Sequence, residues 1–229
     1  MEAIVTAIEN DVTFLEPTAA DESVIGLVHS QFHIDQIRSE GLYEIAALAA
    51  GGAIAAVETG LRDPSFGLIR PPEHHASSDS CRGFYFFNNM AVAIENLMHQ
   101  GKISTAFILD FDLHYGDGNV NILGNRRGVT ILNPGAGDRV SYVVGVQNAL
   151  ENTPVDIIGV SAGFDSHKAD WGGLLSTTNY YEMGQIVRTA AKRNQGGCFG
   201  ILEGGYNHAE LGQNVRAFLR GLAGSIFSE

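Results

Sequence analysis

The chain has 229 residues, is 45% hydrophobic, contains 28 glycines and carries a formal charge of −12. Its length and apolar content suffice for one sizeable α/β domain, read here as residues 1–229. The charge argues against nucleic-acid binding, because no basic patch offsets it, and no window approaches the 18 uninterrupted apolar residues of a membrane span.

Residues 2–9 carry a helical pattern, and Asp21-Glu22 open a short helix toward Val28. The start, MEAIVTAIENDV, carries acids and lacks the basic start and long apolar core of a signal peptide. Residues 42–60 are Ala-rich and predict a buried helix that tolerates Gly51-Gly52. FGLI (66–69) predicts a short strand ending at Arg70-Pro71-Pro72, and 88–100 an amphipathic helix with Asn near its start. A strand at 105–110, a strand near 128–132, a helix near 141–151 and a strand at 155–161 follow. Then come a helix at 177–194, a strand at 198–203 and a helix at 208–223. This alternation predicts a mostly parallel sheet between two helical layers, a three-layer α/β/α architecture. Cys81 and Cys198 form no CxxC pair; two distant cysteines in a domain of this size predict a reducing, cytoplasmic setting. An acidic surface favours cationic partners such as lysine-rich peptides or polyamines, although solubility alone also explains the charge.

The densest chemistry is TAFILDFDLHYGDG (105–118). An apolar run ending in acids and glycine is a buried strand emptying into a loop. Asp112 and His114 are two apart, so they point the same way if the strand persists. With Asp165 of VSAGFDSH, they offer two carboxylates and an imidazole to one divalent metal, leaving a position for water. Such a set suits zinc, with iron(II), manganese or cobalt as competitors. A DxH pair alone is a weak signal, since a capped turn with a hydrogen-bonded histidine has the same spacing. His74-His75 after Pro-Pro is rarer. The doublet fits a metal site, a surface loop or a general acid/base pair, with Asp110 and Asp117 as carboxylate partners. Tyr206 follows Gly204-Gly205, where a tight turn brings a phenol to the strand ends. A tyrosine there can donate to a developing oxyanion. Every one of these clusters follows a strand, where open α/β sheets build their sites.

Together RPPEHHA (70–76), GFYFFNN (83–89), ILDFDLHYGDG (108–118), VSAGFDSH (160–167), GGLLSTTNYY (172–181) and LEGGYN (202–207) closely resemble the histone deacetylase family of the arginase/deacetylase superfamily. The style is similar to bacterial, archaeal and class II-like members, including acetylpolyamine amidohydrolases. The resemblance implies an arginase/deacetylase-like fold and a zinc-dependent deacetylase acting on acetyl-lysine peptides or acetylated small amines. It implies zinc on Asp112, His114 and Asp165. It implies His75 as general base and acid backed by Asp117, and His74 backed by Asp110. Tyr206 would polarise the acetyl carbonyl. Phe84 and Gly83 would line the acyl channel, and Gly204 and Gly205 would shape the pocket beside the tyrosine. Asp110 and the Asp112 and His114 backbone would help frame a structural potassium ion.

Three departures from the family's pattern set further expectations. Glu73 stands where glycine is usual, and a rim carboxylate there would attract a cationic substrate or crowd the turn. In NPGAGD (133–138) Asn133 stands where an aromatic is expected, which predicts an open channel with Phe84 as its one clear aromatic wall. The family's first strand has no counterpart before residue 2, so either that strand is supplied otherwise or the sheet is one strand short, with an edge that needs cover or a second copy. A catalytically weak binder of acetylated ligands and an arginase-like ureohydrolase with two manganese ions are the competing readings.

Overall fold

The computed structural model describes residues 1–224. The chain runs α1 (Glu2–Ile8), α2 (Glu22–Ile25), α3 (Gln31–Ser39), α4 (Tyr43–Gly60), β1 (Ser65–Gly67), α5 (Asn89–His99), β2 (Ala106–Asp110) and α6 (Asp117–Leu123). It continues through β3 (Val129–Leu132), α7 (Arg139–Glu151), β4 (Ile157–Ala162), α8 (Thr177–Asn194), β5 (Gly197–Leu202) and α9 (His208–Ala223). Among the described residues the sheet has five strands in the order β1-β5-β4-β2-β3, and every pairing is parallel. The central strands β2, β4 and β5 are buried throughout.

Strand periodicity divides their side chains between two cores. Ala106 and Ile108 of β2, with Phe199 and Ile201 of β5, face α4 and α5. Phe107 and Leu109 of β2, with Ile158 and Val160 of β4, face α1, α7, α8 and α9. Each of the larger of these side chains, the Ile, Leu, Val and Phe residues, contributes about 1.5–3 kcal/mol by leaving water. The result is the expected three-layer α/β/α fold. No helix of the described residues is long and apolar enough to cross a membrane.

Most element boundaries fall within two residues of the sequence expectation. Two helices have no counterpart in it. Helix α3 buries His33, Ile34 and Ile37 and starts at Ser30, whose side chain accepts from the His33 N–H. Helix α6 is a single short stretch, DGNVNIL, opening after Gly116. The expected 66–69 strand is confined to Ser65–Gly67 at the sheet edge. Because the sheet is parallel, the segments after β2, β4 and β5 emerge at one edge, and these carry the polar clusters.

Candidate active site

Strand β2 ends at Asp110, so Asp112 and His114 do not share a strand face. They converge for a different reason. Asp112 Oδ1 accepts from the His114 backbone N–H at 2.9 Å, folding the loop over its own carboxylate. Backbone donors from two other segments complete the fixation. Gly204 N–H donates to Asp112 Oδ2 at 2.8 Å, and Leu113 N–H donates to Asp165 Oδ1 at 2.9 Å. His114 Nδ1 then lies 3.1 Å from both Asp112 Oδ1 and Asp165 Oδ2. Ligand atoms of Asp112, His114 and Asp165 all fall within 4.8 Å of one another.

This donor set fits a divalent cation. Asp165 Oδ2 is buried and, among the described residues, has no hydrogen-bond partner, despite the nearby imidazole. Burial and the adjacent Asp112 charge push the Asp165 carboxyl up to about 7. A cation between the two carboxylates removes that penalty. Gly204 is small for the same reason: a Cβ there would lie 2.5 Å from Asp112 Oδ2 and 2.8 Å from Asp165 Oδ2.

The paired histidines face this cluster with different partners. His74 is buried, its Nδ1 is 3.2 Å from Asp110 Oδ2, and its Nε2 is 3.8 Å from Asp112 Oδ1. Burial opposes its charged form. The Asp110 hydrogen bond and the charges of Glu203, Asp110 and Asp112 outweigh burial and lift it to about 10. His75 lies at 4.1 Å ring separation, with Nδ1 2.5 Å from Asp117 Oδ1. Its own burial, then the neighbouring His74 charge, lower its pKa despite Asp117. Asp117 is the first residue of α6, which places its carboxylate at that helix's start. Asp110 also accepts from Asn119 Nδ2 at 3.2 Å, and Asn119 bonds Ser161 Oγ at 3.1 Å.

Tyr206 stands beside the cluster, and its phenol is raised by burial and by the Asp112 and Asp165 charges. Gly205 before it has φ +137°, a conformation that favours glycine. Gly83 and Phe84 lie exposed, Phe84 at 78%. Asn133 forms no wall. Its Oδ1 accepts from Gly116 N–H at 2.8 Å and supports the loop that carries His114.

Two expectations need correction. Glu73 is not at the rim. It is fully buried, accepting from Ser161 Oγ at 2.9 Å through Oε1. Phe84, expected as the one clear aromatic wall, is joined by a second exposed aromatic beside the cluster: Trp171 stands edge-on to His114 at 5.9 Å. Four further residues border the site: Tyr85 and Glu203 lie within the GFYFFNN and LEGGYN motifs without being singled out by them, and Arg82 and Asn119 lie outside every motif. Arg82 Nη2 donates to Asp117 Oδ1 at 2.8 Å. Tyr85 meets His75 edge-on at 4.8 Å. Glu203 Oε2 accepts from the backbone N–H groups of Glu73 and His74 at 3.0 and 3.3 Å. Asn119 is described above.

Residues 37–134 and 140–222 match the histone deacetylase domain. The chain belongs to the histone deacetylase family. It is 32% identical to a probable deacetylase of Methanothermobacter thermautotrophicus, over 98% of this chain and 84% of that one. It is 31% identical to the histone deacetylase-like amidohydrolase of Pseudomonas aeruginosa, over 84% of this chain and 66% of that one. It is 28% identical to the acetylpolyamine amidohydrolase of Mycoplana ramosa, over 81% of this chain and 65% of that one. The crystal structure of the HDA15 HD domain superposes with a TM-score of 0.83 at 21% identity, covering 99% of this chain and 82% of that one, a likeness of fold. The site geometry is built from the segments that carry the family's motifs.

Proposed function

We propose that residues 1–229 form one catalytic domain, a metal-dependent amidohydrolase that removes acetyl groups from acetyl-lysine or acetylated small amines. One observation carries the reading: two adjacent imidazoles, each engaged at Nδ1 by its own carboxylate, face a three-ligand cluster, and their surroundings push the two pKa values in opposite directions. Pairs of groups with their pKa values pushed apart mark acid and base assignments.

Asp112, His114 and Asp165 would hold the ion, zinc in the first instance. Such an ion supplies Lewis acidity, lowering the pKa of water and polarising a carbonyl. The chain's own groups then divide the work. His75 is favoured as the neutral imidazole, and Asp117 engages its Nδ1. Its Nε2 is left to take the proton of the attacking water. That proton passes to the leaving nitrogen as the C–N bond breaks. Tyr206 O–H donates to the carbonyl oxygen as charge develops there. His74, favoured as the cation, adds positive charge beside the cluster, and Asp110 fixes its ring. Phe84 and Gly83 form the acyl approach, and Gly204 and Gly205 the pocket wall beside the phenol. Water is consumed, and acetate and a free amine leave. The net charge of −12 suits a cationic substrate.

Acetate release from an acetyl-lysine peptide and from an acetylpolyamine tests the reading in the zinc-loaded protein. His75→Ala is expected to lower kcat about 10²–10⁴-fold, and Tyr206→Phe about 10²–10³-fold. Bound metal without turnover on either substrate overturns the proposal.

A further inference from the structure

Tyr206 needs an external restraint to be an effective donor. Its side chain is partly exposed, and the Gly205 backbone before it is intrinsically free. The segment Ala169–Trp171 supplies that restraint at three points. Asp170 Oδ2 accepts from both the Tyr206 and Asn207 backbone N–H groups, at 2.7 and 2.8 Å. Asn207 Nδ2 donates to the Ala169 carbonyl at 2.7 Å. The Trp171 indole lies flat on the Tyr206 ring, with centroids 3.9 Å apart and planes at 12°. The indole is 65% exposed, so core burial does not account for its placement. Its edge contact with His114 sets it beside the metal-ligand cluster as well.

We propose that Trp171 is a positioning residue, holding the Tyr206 phenol beside the Asp112–His114–Asp165 cluster. The backbone bonds to Asp170 fix where the tyrosine begins. They leave its side-chain torsions free; the stack restricts those along the face of the ring, while a hydrogen bond with Tyr85 engages the hydroxyl at its tip. A donor aimed at developing charge acts fully only when it is already oriented, and small misplacements are expensive in rate. The catalytic consequence rests on the reading of Tyr206 as the oxyanion donor.

Trp171 is the chain's single tryptophan, so its emission reports this contact. In the metal-free protein, Tyr206→Leu is expected to change the intensity and wavelength of that emission. Tyr206→Phe, which keeps a ring on the indole, is expected to stay near wild type. In the zinc-loaded enzyme, Trp171→Ala is expected to lower kcat roughly two- to tenfold, the effect of losing an aromatic pair, with little change in KM. Trp171→Phe is expected to restore most of the loss. On a Tyr206→Phe background, Trp171→Ala is expected to cost nothing further.

Emission indifferent to Tyr206→Leu overturns the contact. A Trp171→Ala effect confined to KM, or undiminished beside Tyr206→Phe, overturns the positioning role and leaves a substrate-wall residue. If the wild-type enzyme shows no turnover, the amidohydrolase reading fails on its own. The emission comparison needs no turnover and still decides whether Trp171 holds the ring.

Discussion

Glu203 holds the backbone of Glu73: its Oε2 accepts the Glu73 backbone N–H at 3.0 Å, although 130 residues separate the two. Both side chains are buried, and among the described residues Glu73 Oε2 and Glu203 Oε1 have no hydrogen-bond partner. Two acids in one dry space cannot both ionise cheaply. Burial is the main cause that pushes Glu73 up to about 7, and burial followed by the Glu73 charge pushes Glu203 well above its usual range.

That relationship sets a pH dependence of stability. The folded state holds the Glu73 proton more tightly than the unfolded chain, whose carboxyl titrates near 4.5. The stability from this group is therefore fully present below about pH 4.5 and is lost as pH rises through about 7. Glu73→Gln keeps an acceptor for Ser161 and never ionises. It is expected to match wild type near pH 4.5 and to exceed it at pH 8, by on the order of 3 kcal/mol at most. Urea unfolding of both proteins at the two pH values checks this, and a pH-independent difference refutes it.

Arg82 tunes the proposed base. Its guanidinium donates to Asp117 Oδ1, the same oxygen that His75 approaches at 2.5 Å. Its positive charge opposes the imidazolium, contributing to the lowered His75 pKa behind burial and His74. In Arg82→Gln that opposition is gone and Asp117 is left to His75, so the imidazolium is favoured. A base must be neutral to act, so the acidic limb of kcat/KM is expected to move to higher pH. Arg82 is largely exposed, so the shift should shrink in high salt. A limb that stays in place at low salt excludes the tuning role.

The legible part of this molecule is the part written in contiguous residues. Strands β2, β4 and β5 are short apolar runs buried on both faces, and each empties into glycine and acids. That pattern alone puts Asp110, Asp112, Asp165 and Tyr206 near one sheet edge. The convergence of Asp112 and His114 was legible too, but through the wrong geometry, because an aspartate turn replaces the strand. What was not legible depends on partners distant in sequence. A glutamate after Pro-Pro belongs on the surface unless Glu203 and Ser161 meet it inside. Trp171 becomes informative only once Tyr206 lies on it. Helix α6 has the poor formers Gly118, Asn119 and Asn121. It is held where buried Asn119 bonds Asp110, Ser161 and Asn88.

Gly204 gives the most direct test of the metal cluster. Its N–H holds Asp112 Oδ2, and the missing side chain leaves the space in which the two carboxylates face each other. A Cβ would come within 3.0 Å of Asp112 Oδ2, Asp165 Oδ2 and Asp165 Cγ together, so both ligands must move. Gly204→Ala keeps the N–H and changes only that space. Zinc bound per chain after dialysis, measured by atomic emission, is expected to fall at least tenfold below wild type, comparable to the effect of losing a ligand-supporting partner. Gly135→Ala is the matched control, because a Cβ there meets nothing within 4 Å, and its zinc content should equal wild type. Far-UV circular dichroism of both variants separates loss of metal from loss of fold. Full zinc occupancy in a folded Gly204→Ala protein would show that Asp112 and Asp165 do not hold the ion together.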